Sequence, residues 1–275
     1  MELGKFNELE IKRETGNGIY LIDEEGKEVL LPNKYVDPEL VPGDKMKVFV
    51  YADSEDRPVA TTEIPLLTRG SFAYLEVIAT MEYGAFLNWG LEKDLFVPFK
   101  EQYTKMRSGQ RYVVFLYQDF STERLCGSSK LNKFFSEEVG DLQVGEEVDL
   151  LVYKDSDLGY GVIVNDSFNG LVYHSEVFGK IEIGESLKGF VKKVREDKKL
   201  DISLSKLGHK RHDDNGSMIL EKVKEMGGTC SLHDKSDPAD IYATFGMSKK
   251  AFKAAIGGLY KAGIIELDKE GFKLR

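Results

Sequence analysis

The fold is decided by residues 81–103, MEYGAFLNWGLEKDLFVPFKEQY. An apolar run at residues 74–79 leads into a glycine turn at Tyr83 and Gly84, and a short strand at residues 95–98 (LFVP) follows a second turn. A strand, a glycine bend, an aromatic strand and a short strand form the opening of a five-stranded OB barrel. The aromatic residues of the stretch stand where such a barrel presents a nucleic-acid face. The stretch therefore predicts an OB barrel.

The pattern of this stretch occurs three times in the chain. An offset of 66 aligns Gly18 with Gly84 and Tyr20 with Phe86, and no gap is needed until one residue is inserted before Arg124. A looser third copy follows 141 residues after the first, and each copy has short β-rich runs at barrel spacing. The predicted barrels cover residues 1–64, 68–131 and 145–205.

The pattern changes from strands to helices near residue 215. Ser217 is expected to cap a first helix and Ser248 a third, and residues 264–274 read as a terminal hairpin. Helices followed by a hairpin in sixty residues predict a winged helix over residues 215–275. The predicted fold is therefore mainly β, with three tandem OB barrels followed by a C-terminal α/β domain.

Charge is distributed unevenly along the chain. The net charge of the 275 residues is −9, yet residues 1–64 carry −7 and residues 206–275 carry +3. Phosphate contacts are therefore expected toward the carboxyl end. On the third predicted helix Lys250, Lys253 and Lys261 form one stripe, which either follows a phosphate backbone or is simply a solvated face.

Several classes of function lack their sequence signals. Cys126 and Cys230 fit no disulfide framework or zinc site, and the run HKRH at residues 209–212 reads as a basic linker rather than a metal site. No nucleotide-binding, hydrolase or zinc-protease motif occurs. We expect no catalytic residue, metal or cofactor. With no signal peptide and no apolar run of about 18 residues, we expect a cytoplasmic protein without a membrane partner.

The repeats resemble the RNA-binding OB domain of ribosomal protein S-one. Residues 83–87 (YGAFL) and 170–176 (GLVYHSE) are the matching phrases. Residues 234–261, downstream of three such barrels, are similar to the bacterial conserved virulence factor B family. This resemblance covers nearly the whole chain. It implies three S-one-type barrels and a winged helix, RNA binding, and a regulatory rather than an enzymatic role.

The resemblance also implies an RNA face. Barrel 2 supplies Tyr83, Phe86, Asp119 and Arg124, with Val97 at the position of the S-one histidine. Trp89, in the adjoining turn, is a further stacking candidate. Each of these aromatic residues could instead be core, and the arginine could belong to a surface ion pair.

The other two barrels depart from the family set. Barrel 1 keeps Tyr20, Asp53 and Arg57. Barrel 3 has Leu158 and Gly161 at the aromatic positions, Tyr173 at the histidine position and Asp201 at the arginine position. We therefore expect no base stacking by barrel 3.

The leading hypothesis is a non-enzymatic, post-transcriptional regulator of gene expression. It would bind single-stranded RNA through barrel 2 and the basic winged helix. One alternative is a protein-interaction scaffold whose barrels have lost nucleic-acid binding, which the acidic first barrel favours. Another is a transcription regulator that binds DNA through the winged helix. The oligomeric state is left open.

Overall fold

The structure, a computed structural model, describes residues 1–140, 142–177, 181–204, 212–261, 263–268 and 271–275, without the side chains of residues 212–214. Residues 209–211 of the predicted basic linker lie outside this part. The chain divides into two compact units, Met1–Leu204 and Ser205–Arg275. The first unit contains three five-stranded barrels and the second a winged helix, so the predicted fold class is confirmed. The domain boundaries themselves stay a prediction.

Each barrel is built from five strands and a single 3-10 turn after the third strand. Barrel 1 contains β1 (Lys5–Thr15), β2 (Gly18–Ile22), β3 (Glu28–Pro32), β4 (Lys45–Ala52) and β5 (Pro58–Thr61). Barrel 2 contains β6 (Phe72–Met81), β7 (Gly84–Asn88), β8 (Leu95–Pro98), β9 (Arg111–Gln118) and β10 (Leu125–Ser128). Barrel 3 contains β11 (Glu147–Ser156), β12 (Gly159–Val164), β13 (Phe168–Tyr173), β14 (Ser186–Val194) and β15 (Leu200–Ser203).

The three barrels share one topology. In each, the long first strand pairs with the second and the fourth, and a β-bulge interrupts its pairing with the second. Barrels 1 and 3 close through a parallel pair between the third and fifth strands. In barrel 2 the corresponding strands β8 and β10 meet through packing, since a Cβ on Gly127 would lie only 2.7 Å from Val97 Cγ2. Barrel 2 is therefore nearly closed.

Barrels 1 and 2 share a core. In β7 and β8 the buried residues Ala85, Leu87, Leu95 and Val97 alternate with less buried ones, as expected for half-buried strands. The core of barrel 2 also includes Phe49 and Tyr51 from barrel 1, whose rings lie 5.9 and 6.2 Å from that of Trp89. This packing fixes the first two barrels to each other.

Two phenylalanines of the connecting segment join barrels 2 and 3. Phe134 stacks on Phe115 at 4.1 Å between centroids. Phe135 lies 5.6 Å from Phe72 of barrel 2 and 5.7 Å from Tyr153 of barrel 3. The linker therefore fills an aromatic core between two barrels instead of running free.

The second unit has the predicted winged-helix elements. They are α1 (His212–Glu225), β16 (Thr229–Cys230), α2 (Pro238–Phe245), α3 (Lys249–Lys261), β17 (Ile265–Leu267) and β18 (Phe272–Leu274). Asp237 Oδ1 caps α2 by accepting the Ala239 N–H at 2.8 Å, and Ser248 Oγ accepts the Ala251 N–H at the start of α3. The prediction that Ser217 caps α1 is wrong, because the helix already begins at His212.

None of the helices within the described ranges is long and apolar enough to span a membrane.

We predict that Gly184→Ala destabilises the protein more than Gly109→Ala. These glycines occupy equivalent turns, and both have positive φ (89° and 76°), so alanine is strained at either position. A Cβ at Gly184 would overlap the ring of Tyr74, whereas one at Gly109 would meet nothing within 4 Å among the described residues. Overpacking should cost about 1–3 kcal/mol beyond the shared backbone strain. Urea unfolding of both variants measures the difference, and equal losses of stability would contradict the overlap with Tyr74.

Candidate nucleic-acid interface

Three aromatic side chains form a cluster on the outer face of barrel 2. The ring centroids of Tyr83, Phe86 and Phe96 lie 5.2 to 6.2 Å apart. Tyr83 is 60% exposed, and the two phenylalanines are half-buried. The rings are tilted or edge-on to one another, so part of the aromatic surface faces solvent. We call these three residues the aromatic cluster.

Strand alternation places the aromatic cluster outside the barrel. In β7 the neighbours of Phe86, Ala85 and Leu87, are fully buried, so Phe86 must point outward. Phe96 is paired directly with Phe86 across β7 and β8 and therefore shares its face. Gly84 makes room for the Phe96 ring, because a Cβ there would lie 2.5 Å from Phe96 Cε2. Glycine is thus required for packing within the cluster.

Trp89 does not belong to this face, and the prediction that it stacks on bases is wrong. It is only 3% exposed, and its indole N–H donates to the Lys93 carbonyl at 2.6 Å. Its ring packs against Phe49 and Tyr51 of barrel 1. The residue joins two barrels and offers no free ring face.

The Asp119 carboxylate is engaged within its own turn. Asp119 Oδ1 accepts the Ser121 hydroxyl at 2.5 Å and the N–H groups of Ser121 and Thr122 at 2.9 and 3.2 Å. These hydrogen bonds, led by that from the Ser121 side chain, lower the pKa of Asp119 to about 2. Asp53 holds the equivalent turn of barrel 1 in the same way, by accepting the Glu55 N–H. The structure therefore gives Asp119 a structural role in the turn, and a direct RNA contact is not supported.

Both predicted arginines are exposed and already ion-paired. Arg57 Nε and Nη2 donate to Asp53 Oδ2 at 2.9 and 2.7 Å. Arg124 pairs with Asp56 of barrel 1, which also lies 3.3 Å from Lys93 Nζ. Surface pairs of this kind contribute little to stability, so a phosphate can compete for either guanidinium.

The equivalent face of barrel 1 is covered by its own side chains. The Arg13 guanidinium lies 3.9 Å from the centroid of the Tyr20 ring. Arg13 is held there by Glu28, to which it donates at 2.6 Å. Tyr20 and Phe86 are both half-buried, so the guanidinium that covers Tyr20 is what makes it the poorer stacking surface. The predicted role of Tyr20 is weakened by this geometry.

Barrel 3 has a groove where barrel 2 has the aromatic cluster. Gly161 pairs with Leu171 in the register that Phe86 and Phe96 occupy in barrel 2, and the missing rings leave a cavity of about 790 Å³. Tyr153 borders the groove, since its ring lies 3.1 Å from the position of a Cβ on Gly161. Five cations also line it: Lys133, Lys154, Arg195, Lys198 and Lys199.

The family positions predicted for barrels 2 and 3 do not match each other at two places. Tyr173 pairs with Gly159 as Pro98 pairs with Gly84, so Tyr173 is the equivalent of Pro98 and not of Val97. Val97 is fully buried, so it cannot stand at an outward-facing histidine position. The turn of barrel 3 closes from Arg195 N–H to Lys199 O, as the turn of barrel 2 closes from Asp119 to Arg124. Lys199, not Asp201, therefore stands at the arginine position. Barrel 3 keeps a cation there, although Lys199 pairs with Asp197 at 3.4 Å.

The winged helix presents its lysines to solvent. Lys250, Lys253 and Lys261 are exposed on α3, opposite the buried Phe252 and Ile256. Lys253 pairs with Asp234 at 3.3 Å. A Cβ on Gly257, between the lysines, would meet no described residue within 4 Å apart from its chain neighbours and the helix's own backbone. The lysine stripe is thus solvated and sterically open. This is compatible both with contact to a phosphate backbone and with a simple solvated helix face.

Within the described residues no cluster of three or more His, Cys, Asp or Glu is arranged to hold a metal ion. Both cysteines are buried, and burial raises the pKa of each thiol.

Sequence reasoning missed Phe96 as a member of the aromatic cluster. The alternation of LFVP, with Leu95 and Val97 buried, carries the signal that its phenylalanine faces outward. Pairing with Phe86 could be known only from the register of β7 and β8.

Comparison with known proteins supports the two types of domain. Residues 217–274 match the model described as a CvfB-like winged helix domain, and residues 3–63 match the S1 domain. OB folds bind oligonucleotides and winged helices are nucleic-acid-binding modules, so the chain carries nucleic-acid-binding domains. The predicted resemblance to the conserved virulence factor B family is confirmed.

The relatives match this chain along most of their own length. Conserved virulence factor B of Staphylococcus aureus (strain MSSA476) is 28% identical over 276 residues, covering 97% of this chain and 92% of that protein. The uncharacterized protein YitL of Bacillus subtilis is 28% identical over 271 residues, covering 96% and 90%. A multidomain protein with nucleic acid binding domains from Streptococcus pneumoniae, known from a crystal structure, is 27% identical in sequence. The match covers 99% of this chain and 98% of that chain, with a TM-score of 0.44.

We predict that Asp119→Asn destabilises the protein at pH 7. In acid, the difference in stability between this variant and wild type should disappear. The folded-state pKa of Asp119 is lowered from 3.8 to about 2, so the carboxylate stabilises the fold above pH 4. This stabilisation is lost as the pH falls from about 4 to 2. Urea unfolding of both proteins between pH 2 and pH 7 measures the difference.

The Ser121→Ala variant is the control for this prediction. It removes the hydroxyl that donates to Asp119 Oδ1, so the folded-state pKa of Asp119 should rise toward its ordinary value. The loss of stability in acid should therefore be smaller and be complete at a higher pH. A constant difference between wild type and Asp119→Asn across the whole pH range would contradict the assignment.

Proposed function

We propose that this chain, a relative of the conserved virulence factor B proteins, is a non-enzymatic protein that binds single-stranded RNA. We further propose that it regulates gene expression after transcription and acts in the cytoplasm. Barrel 2 would supply the base contacts, and barrel 3 and the winged helix would supply cations.

The aromatic cluster is the observation that carries this proposal. Rings that keep part of their surface in water, on the outer face of an OB barrel, can stack on unpaired bases, and each stack contributes about 1–3 kcal/mol. The bases of a duplex are already stacked on one another, so such a surface favours a single strand. Tyr83, Phe86 and Phe96 lie within 6.2 Å of one another, close enough to contact adjacent bases.

The groove of barrel 3 adds electrostatic attraction to the first unit. Its rim carries five cations, of which Lys154 lies on β11 and Lys198 on the turn between β14 and β15. Several are paired with acidic neighbours, such as Lys198 with Glu137 at 3.1 Å. Phosphates would have to displace these partners, so binding should be moderate and sensitive to salt.

A protein-interaction scaffold is the second candidate function, because the surface of barrel 1 is poorly suited to binding nucleic acid. Its Tyr20 is covered by Arg13, and its Asp56 is committed to barrel 2. With a net charge of −7 over residues 1–64, this barrel is a poor surface for nucleic acid. The DNA-binding hypothesis has less support, because the lysines of α3 are few for a duplex reader.

We predict that Phe86→Ala combined with Phe96→Ala weakens RNA binding. Losing about 1–3 kcal/mol of stacking per base corresponds to about 5- to 150-fold for each ring that contacts a base. Fluorescence anisotropy with a labelled mixed-sequence single-stranded RNA at fixed salt measures the affinity. Tyr20→Ala, at the covered position of barrel 1, should have a much smaller effect. Phe86→Leu keeps the apolar packing and should still weaken binding.

Unchanged affinity of a correctly folded Phe86→Ala, Phe96→Ala protein would show that the assigned face is wrong. Failure of wild type to bind any RNA or DNA at micromolar concentration and low salt would favour the scaffold.

We predict that Lys250→Glu combined with Lys253→Glu weakens binding of single-stranded RNA and makes it less dependent on salt. Each phosphate that the variant no longer neutralises should reduce the slope of log affinity against log salt by about 0.7 for a single strand. Lys224→Glu, on the exposed surface of α1, is the matched control. If wild type instead bound duplex DNA more tightly than RNA, and the variant lost only its DNA binding, the winged helix would be a DNA reader.

A further inference from the structure

We propose that Phe120, at the tip of the turn between β9 and β10, is an additional base-stacking residue that extends the aromatic cluster by at least one nucleotide. This inference rests on the proposed function, since it names a further contact for the same single-stranded RNA.

The side chain of Phe120 projects into solvent. It is fully exposed, in contrast to Phe86 and Phe96, which are half-buried. A phenylalanine in this state gains none of the hydrophobic stabilisation that burial would give. A turn tip is normally occupied by small or polar residues, which favour turns for their own reasons. The side chain is therefore not explained by folding.

The backbone of the turn that carries Phe120 is held by hydrogen bonds. Asp119 Oδ1 accepts three hydrogen bonds from Ser121 and Thr122. Asp119 N–H donates to the Arg124 carbonyl at 2.9 Å, and Glu123 N–H donates to the Asp119 carbonyl at 2.7 Å. The backbone beneath the ring is therefore already ordered, so binding has to fix only the Phe120 side chain.

The turn is connected to the aromatic cluster through two consecutive residues. Phe99 N–H donates to the carbonyl of Tyr83 at 3.1 Å. The next residue, Lys100, places its Nζ 3.6 Å from Asp119 Oδ2 at the base of the turn. Phe99 is itself exposed. A strand of RNA that leaves the cluster past Tyr83 therefore follows a surface that leads to Phe120.

Comparison of the three turns links Phe120 to the aromatic cluster. The corresponding position is Ser54 in barrel 1 and Glu196 in barrel 3, and both are exposed. The turn of barrel 2 is also one residue longer, from Asp119 to Arg124. The extra residue and the phenylalanine thus occur in the barrel whose face carries the exposed aromatic cluster.

The chemistry around Phe120 fits a nucleic acid better than a protein partner. Lys100 is exposed at the base of the turn, and Lys105 Nζ lies 5.8 Å from the centroid of the Phe99 ring. Exposed rings interspersed with cations are the pattern of single-strand binding surfaces.

The dependence of affinity on RNA length tests this proposal. Wild type, Phe86→Ala and Phe120→Ser are titrated with labelled oligouridines of increasing length at fixed salt. Phe120→Ser introduces the residue of barrel 1 at an exposed tip, so it should leave folding unchanged. We expect it to bind short oligomers as wild type does, and longer ones about tenfold more weakly. Phe86→Ala should be weaker at every length.

The outcomes separate this proposal from the proposed function. If Phe86→Ala is weaker at every length and Phe120→Ser equals wild type at every length, the role of Phe120 is overturned and the RNA face stands. If Phe86→Ala also equals wild type, the RNA face itself is wrong.

A fluorescent variant provides a second readout. Trp89 is buried and its emission forms a constant background, so Phe120→Trp adds an exposed reporter at the turn. Stacking on a base should quench this reporter when oligouridine saturates the protein. Ser54→Trp, at the equivalent exposed tip of barrel 1, should not change. Unchanged Phe120→Trp emission at saturation, as expected if the turn contacts a protein instead, would overturn the proposal.

Discussion

The packing of Trp89 against Phe49 and Tyr51 is the contact on which the first unit depends most. A single OB barrel of about sixty residues buries a small core, so it gains from sharing one with a neighbour. Here barrel 1 places two aromatic rings into the core of barrel 2. The linker phenylalanines Phe134 and Phe135 do the same between barrels 2 and 3. Both junctions of this unit are therefore built from aromatic rings, which differ from the exposed rings on the outer face of barrel 2.

The three copies of one fold differ in how they treat the same surface. Barrel 1 covers it with Arg13, barrel 2 leaves aromatic rings exposed on it, and barrel 3 opens a groove beside Gly161. Strand register and turn hydrogen bonds are kept in all three, because the fold needs them. The outward-facing positions are free of that requirement and have diverged. Repetition therefore predicts architecture more reliably than it predicts binding.

The sequence was enough to predict the fold class, since glycine turns and strand periods recur in register. It could not predict which aromatic residues face outward. Trp89 and Phe86 are three residues apart, yet one is buried at a junction and the other borders solvent. That difference depends on contacts between barrels, which no local pattern encodes. Small shifts of register misassigned two family positions. Val97 is buried, one residue before the Pro98 that aligns with Tyr173, and one residue of register moves a side chain to the other face. Asp201 lies two residues beyond Lys199. The prediction of where α1 starts was wrong for a simpler reason, because the polar residues before Ser217 give no helical periodicity.

The pairing of Arg124 with Asp56 makes two barrels thermodynamically dependent on each other. An anion that binds this guanidinium must compete with a carboxylate supplied by barrel 1, which also accepts Lys93. By linkage, whatever strengthens the contact between the barrels weakens the affinity of Arg124 for the anion by the same free energy, and the reverse holds equally. The stacking face of barrel 1 is covered. Through Asp56, this barrel nevertheless helps to determine the affinity with which Arg124 of barrel 2 binds an anion.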